Sequence, residues 1–104
     1  MVPPPPRTEE QRREALAKAA ESRRLRAGIM EELRSGRTTL AGLLARVDDE
    51  TVGKMKVSDA LQTMRGVGKI RAGRIMDRLG IAESRRLGGL GTRQIESLLN
   101  EFTD

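Results

Sequence analysis

An all-α fold is what this sequence predicts, with a long N-terminal helix followed by a small helical domain. Three observations carry that reading. The apolar residues are mostly Leu, Ile, Val, Met and Ala, with one aromatic, Phe102, which is too little β-branched and aromatic character for long buried strands. They recur at helical spacings of three and four. Helix-starting and helix-stopping residues punctuate the chain at short intervals. With 104 residues, 37% hydrophobic and 34% charged, the chain fits one compact domain with a modest core and no large internal active site.

The elements follow in order. Pro3 to Pro6 make a stiff polyproline start, so residues 1–7 read as a Pro-rich tail. Thr8 has Gln11 three residues on, the spacing of a capping box, and Glu9 and Glu10 suit a positive helix end. No proline intervenes before Ser35, and Gly36 supplies a left-handed stop, so residues 8–36 form one long basic helix. A helix of about 27 residues is about 40 Å long, more than a globule of this size needs. Leu25, Ile29 and Leu33 form its apolar stripe, while its first half is poor in large apolar groups and is expected to project. Arg12, Arg13, Arg23 and Arg24 lie along it among acidic residues, either as a salt-bridged solvent face or as secondary contacts to a polyanion.

Residues 37–104 then form the helical domain. Thr39 caps a short helix with Leu40, Leu43, Leu44 and Val47 on its buried face. Asp48, Asp49 and Glu50 open a further turn, and they read as a helix cap in preference to a metal site, since adjacent carboxylates do not converge in a helix. Ser58 is expected to cap the next helix, through Ala60, Leu61 and Met64. After Gly66-Val67-Gly68 a helix runs from about Ile70 to Leu79, with Ile75, Met76 and Leu79 apolar and Gly80 as its stop. Gly73, inside it, costs about 1 kcal/mol relative to Ala, and close packing is the one reason the pattern suggests. Ile81 to Leu90 is a compact connection, and Thr92 is expected to cap a last helix with Ile95, Leu98, Leu99 and Phe102 on its core face.

Charge points to a polyanion. The net charge is +5, but residues 54–93 carry ten basic and three acidic side chains, while residues 94–104 are acidic. Absences narrow the chemistry. With no Cys and no His the chain lacks thiolate ligands, the commonest metal ligand and the usual general base. With no Trp or Tyr there is no platform for stacking unpaired bases. No segment approaches the ~18 apolar residues of a membrane span, and the first residues lack a signal-peptide pattern, so a cytoplasmic location is expected.

The Gly66-Val67-Gly68-Lys69 turn is the most informative feature. Glycines admit positive φ and leave room for a partner, Val67 can anchor inward, and the helix that follows offers free N–H groups and a positive dipole end to a phosphate. Arg65, Lys69, Arg71 and Arg74 flank it. The pattern Leu61-x-x-Met64-x-Gly66-Val67-Gly68-x-x-x-Ala72-x-x-Ile75 resembles the helix-hairpin-helix signature. The run from Leu79 to Gly91, with a helix after it, resembles the helix-two-turns-helix variant, placed here at about residues 58–102. Together with Val52 to Ser58 and the Arg-rich, Ala-rich first helix, the pattern is similar to the actinobacterial integration host factor family over nearly the whole chain.

That resemblance implies a nucleoid-associated architectural protein. It would bind double-stranded DNA mainly through phosphates, with weak sequence preference, and would bend or compact it and influence recombination and transcription. It implies hairpin contacts at Gly66, Val67, Gly68 and Lys69, backbone or minor-groove contacts from Arg85 and Arg86, a phosphate donor at Ser84, and further contacts from Lys54 and Lys56. Gly88 and Gly89 depart from it, standing where basic residues would fit. A monomer is expected, with up to two DNA-contact surfaces and no cofactor, metal, membrane or small-molecule substrate. The alternative is a structured-RNA or ribosome binder using the same hairpin. An adaptor docking through the long helix is a further one. A base-excising enzyme fits worst, because glycosylases of this motif class use a proline directly after the first Met, where this chain has Val2.

Overall fold

The computed structural model describes residue 3 and residues 8–102, so most of the polyproline start lies outside the described residues. Helix α1, Glu9–Ser35, begins at the expected capping box. The Thr8 Oγ1 accepts from the Gln11 N–H at 3.1 Å, and the Thr8 N–H donates to Gln11 Oε1 at 3.0 Å. The helix ends at Gly36, which takes φ 81° and donates its N–H to the Leu33 carbonyl. Burial starts only at Ile29 and Leu33, so the N-terminal part stands out from the body and stretches the molecule to 58 Å in its long dimension. Leu25 does not join the core as the stripe suggested and stays 51% exposed. Glu50 and Thr51 lie beside it.

Helix α2, Leu40–Leu44, is capped by Thr39 and buries Leu40, Leu43 and Leu44. Helix α3, Glu50–Gly53, confirms the capping role of the acidic cluster, since Asp49 Oδ1 accepts from the N–H groups of Thr51 at 2.9 Å and Val52 at 3.3 Å.

Helix α4, Val57–Thr63, starts one residue before the expected Ser58 cap. Lys56 is the N-cap, and Ser58 lies in the first turn. The cause is tertiary. Lys56 forms an isolated antiparallel bridge with Arg86, the Val57 N–H donates to the Arg85 carbonyl at 3.0 Å, and the Leu87 N–H donates to the Met55 carbonyl at 2.8 Å. Alternation along this short pairing sends Met55, Val57 and Leu87 into the core and leaves Lys56 and Arg86 outside.

Helix α5, Lys69–Leu79, stops at Gly80 with φ 69°. A 3-10 turn, Leu87–Gly89, leads to helix α6, Thr92–Glu101. Thr92 is the first residue of α6 and not its cap. Gly91 occupies the cap and donates its N–H to Gln94 Oε1 at 3.0 Å, while Gln94 Nε2 reaches back to the Gly80 carbonyl at 3.3 Å. The core joins all these elements through Leu33, Leu43, Val52, Leu61, Ile75, Leu87 and Leu98.

Two glycines change meaning. A Cβ on Gly88 would lie 3.1 Å from the Gly53 carbonyl oxygen and 3.2 Å from its Cα, so Gly88 stands where two backbones touch. That accounts for its departure from basic character. A Cβ on Gly73 would meet nothing within 4 Å, so close packing is not its reason.

Candidate nucleic-acid interface

The hairpin between α4 and α5 is built from the core outward. The Val67 N–H donates to the Met64 carbonyl at 3.1 Å, which closes the turn, and the Val67 side chain is buried. Ala72 and Ile75 are buried too, so the small Ala72 lets α4 and α5 pack closely beneath the turn. Only one of the two glycines uses positive φ. Gly66 lies at 81°, whereas Gly68 is extended at φ −88° and ψ 179°, a conformation open to any residue. A Cβ on Gly68 would meet nothing within the chain. Its missing side chain therefore leaves open space over the start of α5.

That start is unfilled. Gly68 is the N-cap and no side chain caps α5. The first bond onto the cap is from the Ala72 N–H to the Gly68 carbonyl, at 2.9 Å. The N–H groups at 68 to 71 therefore precede the helical ladder, and with the helix dipole they form an electropositive notch suited to an anion. Lys69 and Arg74 are exposed beside it, as is Arg65 on the approach, and none of the three has an ion pair among the described residues. Arg71 points differently from the others. Its guanidinium donates to the Gly66 carbonyl at 3.1 Å and lies 5.8 Å from the Phe102 ring centroid, so it braces the turn against α6.

The second cluster sits on the short pairing of residues 54–57 with 85–87. The Arg86 guanidinium donates to the Lys54 carbonyl, and the Arg85 guanidinium donates to the Gly89 carbonyl at 3.1 Å. Both arginines are thus held by backbone oxygens that carry no formal charge, and neither has an ion pair among the described residues. Ser84 is exposed in a turn closed by the Arg85 N–H on the Ala82 carbonyl at 2.9 Å. Lys54 differs, because its Nζ meets Glu50 Oε1 at 2.6 Å. The hydrogen bond and charge of Lys54 lower the Glu50 pKa against small opposing effects of desolvation and Asp49.

The fold brings Lys56 of the pairing together with the hairpin cations, while Lys54, Ser84, Arg85 and Arg86 do not line the depression they share. Lys56 and Ser58 share a shallow depression with Lys69, Arg74 and Glu83, which links the pairing to the hairpin. Arg12, Arg13, Arg23 and Arg24 are elsewhere, exposed along α1, where Arg13 faces Glu9 at 3.4 Å. The bracing of Arg71 and Arg86 was not visible in the sequence, because each rests on a carbonyl from another turn or element. Ile70, 73% exposed in this same depression, is not marked as a site residue by the motif pattern either. Its signal was an apolar side chain outside the Ile75, Met76 and Leu79 register. No group of three metal-ligating side chains converges among the described residues, and no described helix is long and apolar enough to cross a membrane.

An open helix start at a glycine hairpin, with a second basic turn following it, is the layout of a helix-two-turns-helix module, and the family model described as "S13-like H2TH domain" matches residues 33–102. The chain is 50% identical over 99 residues to an integration host factor of Streptomyces coelicolor, covering 94% of this chain and 92% of that protein. It is 48% identical over 99 residues to those of Mycolicibacterium smegmatis and Mycobacterium tuberculosis, covering 94% of each chain. A solved structure described as sIHF bound to an 8bp palindromic DNA superposes with a TM-score of 0.81 at 46% identity, over 84% of this chain and 99% of that one. The chain belongs to the actinobacterial integration host factor family.

Proposed function

We propose that this protein is a non-enzymatic architectural binder of double-stranded DNA that grips the duplex mainly by its phosphates. The observation that carries the proposal is the uncapped start of α5 under an open Gly68, flanked by Lys69 and Arg74, which have no ion pair among the described residues. The amides of Gly68, Lys69 and Ile70 take one phosphate, the Val67 N–H being spent on the Met64 carbonyl, and Arg65 and Arg74 neutralise its neighbours. Arg85, Arg86 and Ser84, with Lys56, take a second stretch of backbone, and Lys54 joins once it leaves Glu50. Arg71 keeps the turn in shape and adds positive field. The DNA named with the solved relative supports duplex DNA as the ligand class.

Contacts of this type read backbone and not base edges, so sequence preference is weak. If about six phosphates are neutralised, the log–log salt slope is near −5. A monomer with one grip at the hairpin and another along Arg12, Arg13, Arg23 and Arg24 would bend or compact DNA in the nucleoid, with consequences for recombination and transcription.

A gel shift with Gly68→Asp tests the reading. An Asp here is a good N-cap and would satisfy the α5 amides itself, which fills the notch while preserving the helix. The expected result is loss of duplex binding with unchanged circular dichroism. Unchanged affinity would overturn the site, and tighter binding to duplex RNA than to duplex DNA would favour the structured-RNA alternative.

A further inference from the structure

We infer that Ile70 and Gly73, one helical turn apart on α5, form an apolar contact for the deoxyribose edge of the bound strand and so select DNA over RNA. The inference rests on the proposed phosphate grip. Ile70 is the most exposed of the large apolar side chains among the described residues, at 73%. It gains nothing from the core, which takes Ala72, Ile75 and Met76 from the same helix. Gly73 is equally unexplained from within, since it sits inside a helix at a conformational cost and a Cβ there would meet only solvent. Residues 70, 73 and 74 share one face, and Lys69, Ile70, Gly73 and Arg74 all line the same depression.

The geometry of a nucleotide joins the two observations. Ile70 contributes one of the free amides at the notch, so its side chain stands within a few ångströms of any phosphate held there. The group covalently next to a phosphate is a sugar. A sugar edge without a hydroxyl packs on an aliphatic side chain at no polar cost. A ribose places its 2′-hydroxyl against Ile70 and loses hydration without a partner. The bare backbone at Gly73 leaves room for the strand to lie along α5 between Ile70 and Arg74.

The test uses the full chain and matched 20-base-pair duplexes of DNA and RNA, with Ile70→Ala, Ile70→Ser and Gly73→Gln. Ile70→Ala and Ile70→Ser are expected to weaken DNA binding by about three- to tenfold with an unchanged salt slope, because apolar contact and no charge is lost. Their RNA affinity should hold, so the DNA-over-RNA ratio falls by the same factor. Gly73→Gln is expected to raise Tm, since Gln is a far better helix former, and yet to weaken DNA binding. Equal losses on DNA and RNA, or no loss on DNA, would overturn the inference alone, provided Gly68→Asp still abolishes binding. A wild-type chain that bound no duplex would overturn the phosphate grip along with it.

Discussion

The outer part of α1 and the hairpin face of α5 are both basic and exposed, but only one of them is organised. Residues 1–37 carry nine basic side chains against six acidic, and residues 54–93 carry ten against three. On α1 the cations alternate with carboxylates one turn away, as in Arg13 with Glu9, and every backbone donor past the first turn is spent in the helical ladder. At the hairpin, backbone donors are left over. The nearby guanidiniums of Arg71, Arg85 and Arg86 are fixed by carbonyls and keep their full charge. Positive charge therefore says where an anion is attracted, and leftover amides with braced cations say where it is held.

Variants can break that comparison. The largest effect is expected for Gly68→Asp, with a loss of at least about 30-fold in duplex affinity, because charge-assisted bonds to several amides are replaced by an internal cap. Removing Arg12, Arg13, Arg23 and Arg24 together by Ala should cost far less and move the salt slope by less than four phosphates' worth, as measured by titration at several salt concentrations. A larger loss than that of Gly68→Asp would reverse the ranking of the two surfaces.

The next effect concerns stability. Gly88→Ala should lower stability by about 1–3 kcal/mol in a urea melt, since the added methyl meets Gly53 backbone at 3.1 Å and 3.2 Å and neither backbone segment can yield cheaply. Arg86→Ala should weaken binding and also cost about 1 kcal/mol of stability through the lost bond to the Lys54 carbonyl. Arg74→Ala, which has no such bond, should weaken binding and reduce the salt slope by about one without touching stability.

The smallest effect is at Glu50. Lys54 holds its pKa below the ordinary carboxylate value, so the pair's small stabilisation is present above the unfolded pKa and fades as pH falls through the folded one. Lys54→Gln should return the Glu50 titration, followed by NMR, toward the ordinary value.

The sequence made much of this legible and some of it not. Thr8 with Gln11, Thr39, Asp49, Gly36 and Gly80 act locally, through bonds spanning a few residues, and each does what its spacing implied. Ser58 and Thr92 look like caps by the same logic and are not. A bridge from Lys56 to Arg86, distant in sequence, starts α4 early, and Gln94 with Gly91 does the capping work at α6. The glycines divide in the same way. Gly66 needs its positive φ, a local fact, whereas Gly88 needs Gly53 and the open space at Gly68 depends on what surrounds it. The hairpin was readable because its partners Ala72 and Ile75 lie within one helix of it. The roles of Arg71 and Arg86 were hidden because their carbonyl partners are set by tertiary packing.

The most direct test follows backbone amides by NMR while duplex DNA is added. If the notch holds phosphate, the amide protons of Gly68, Lys69 and Ile70 shift downfield and gain protection, more strongly than those of Arg12, Arg13, Arg23 and Arg24. Saturable binding that moves the α1 signals and leaves those three amides in place would contradict the account.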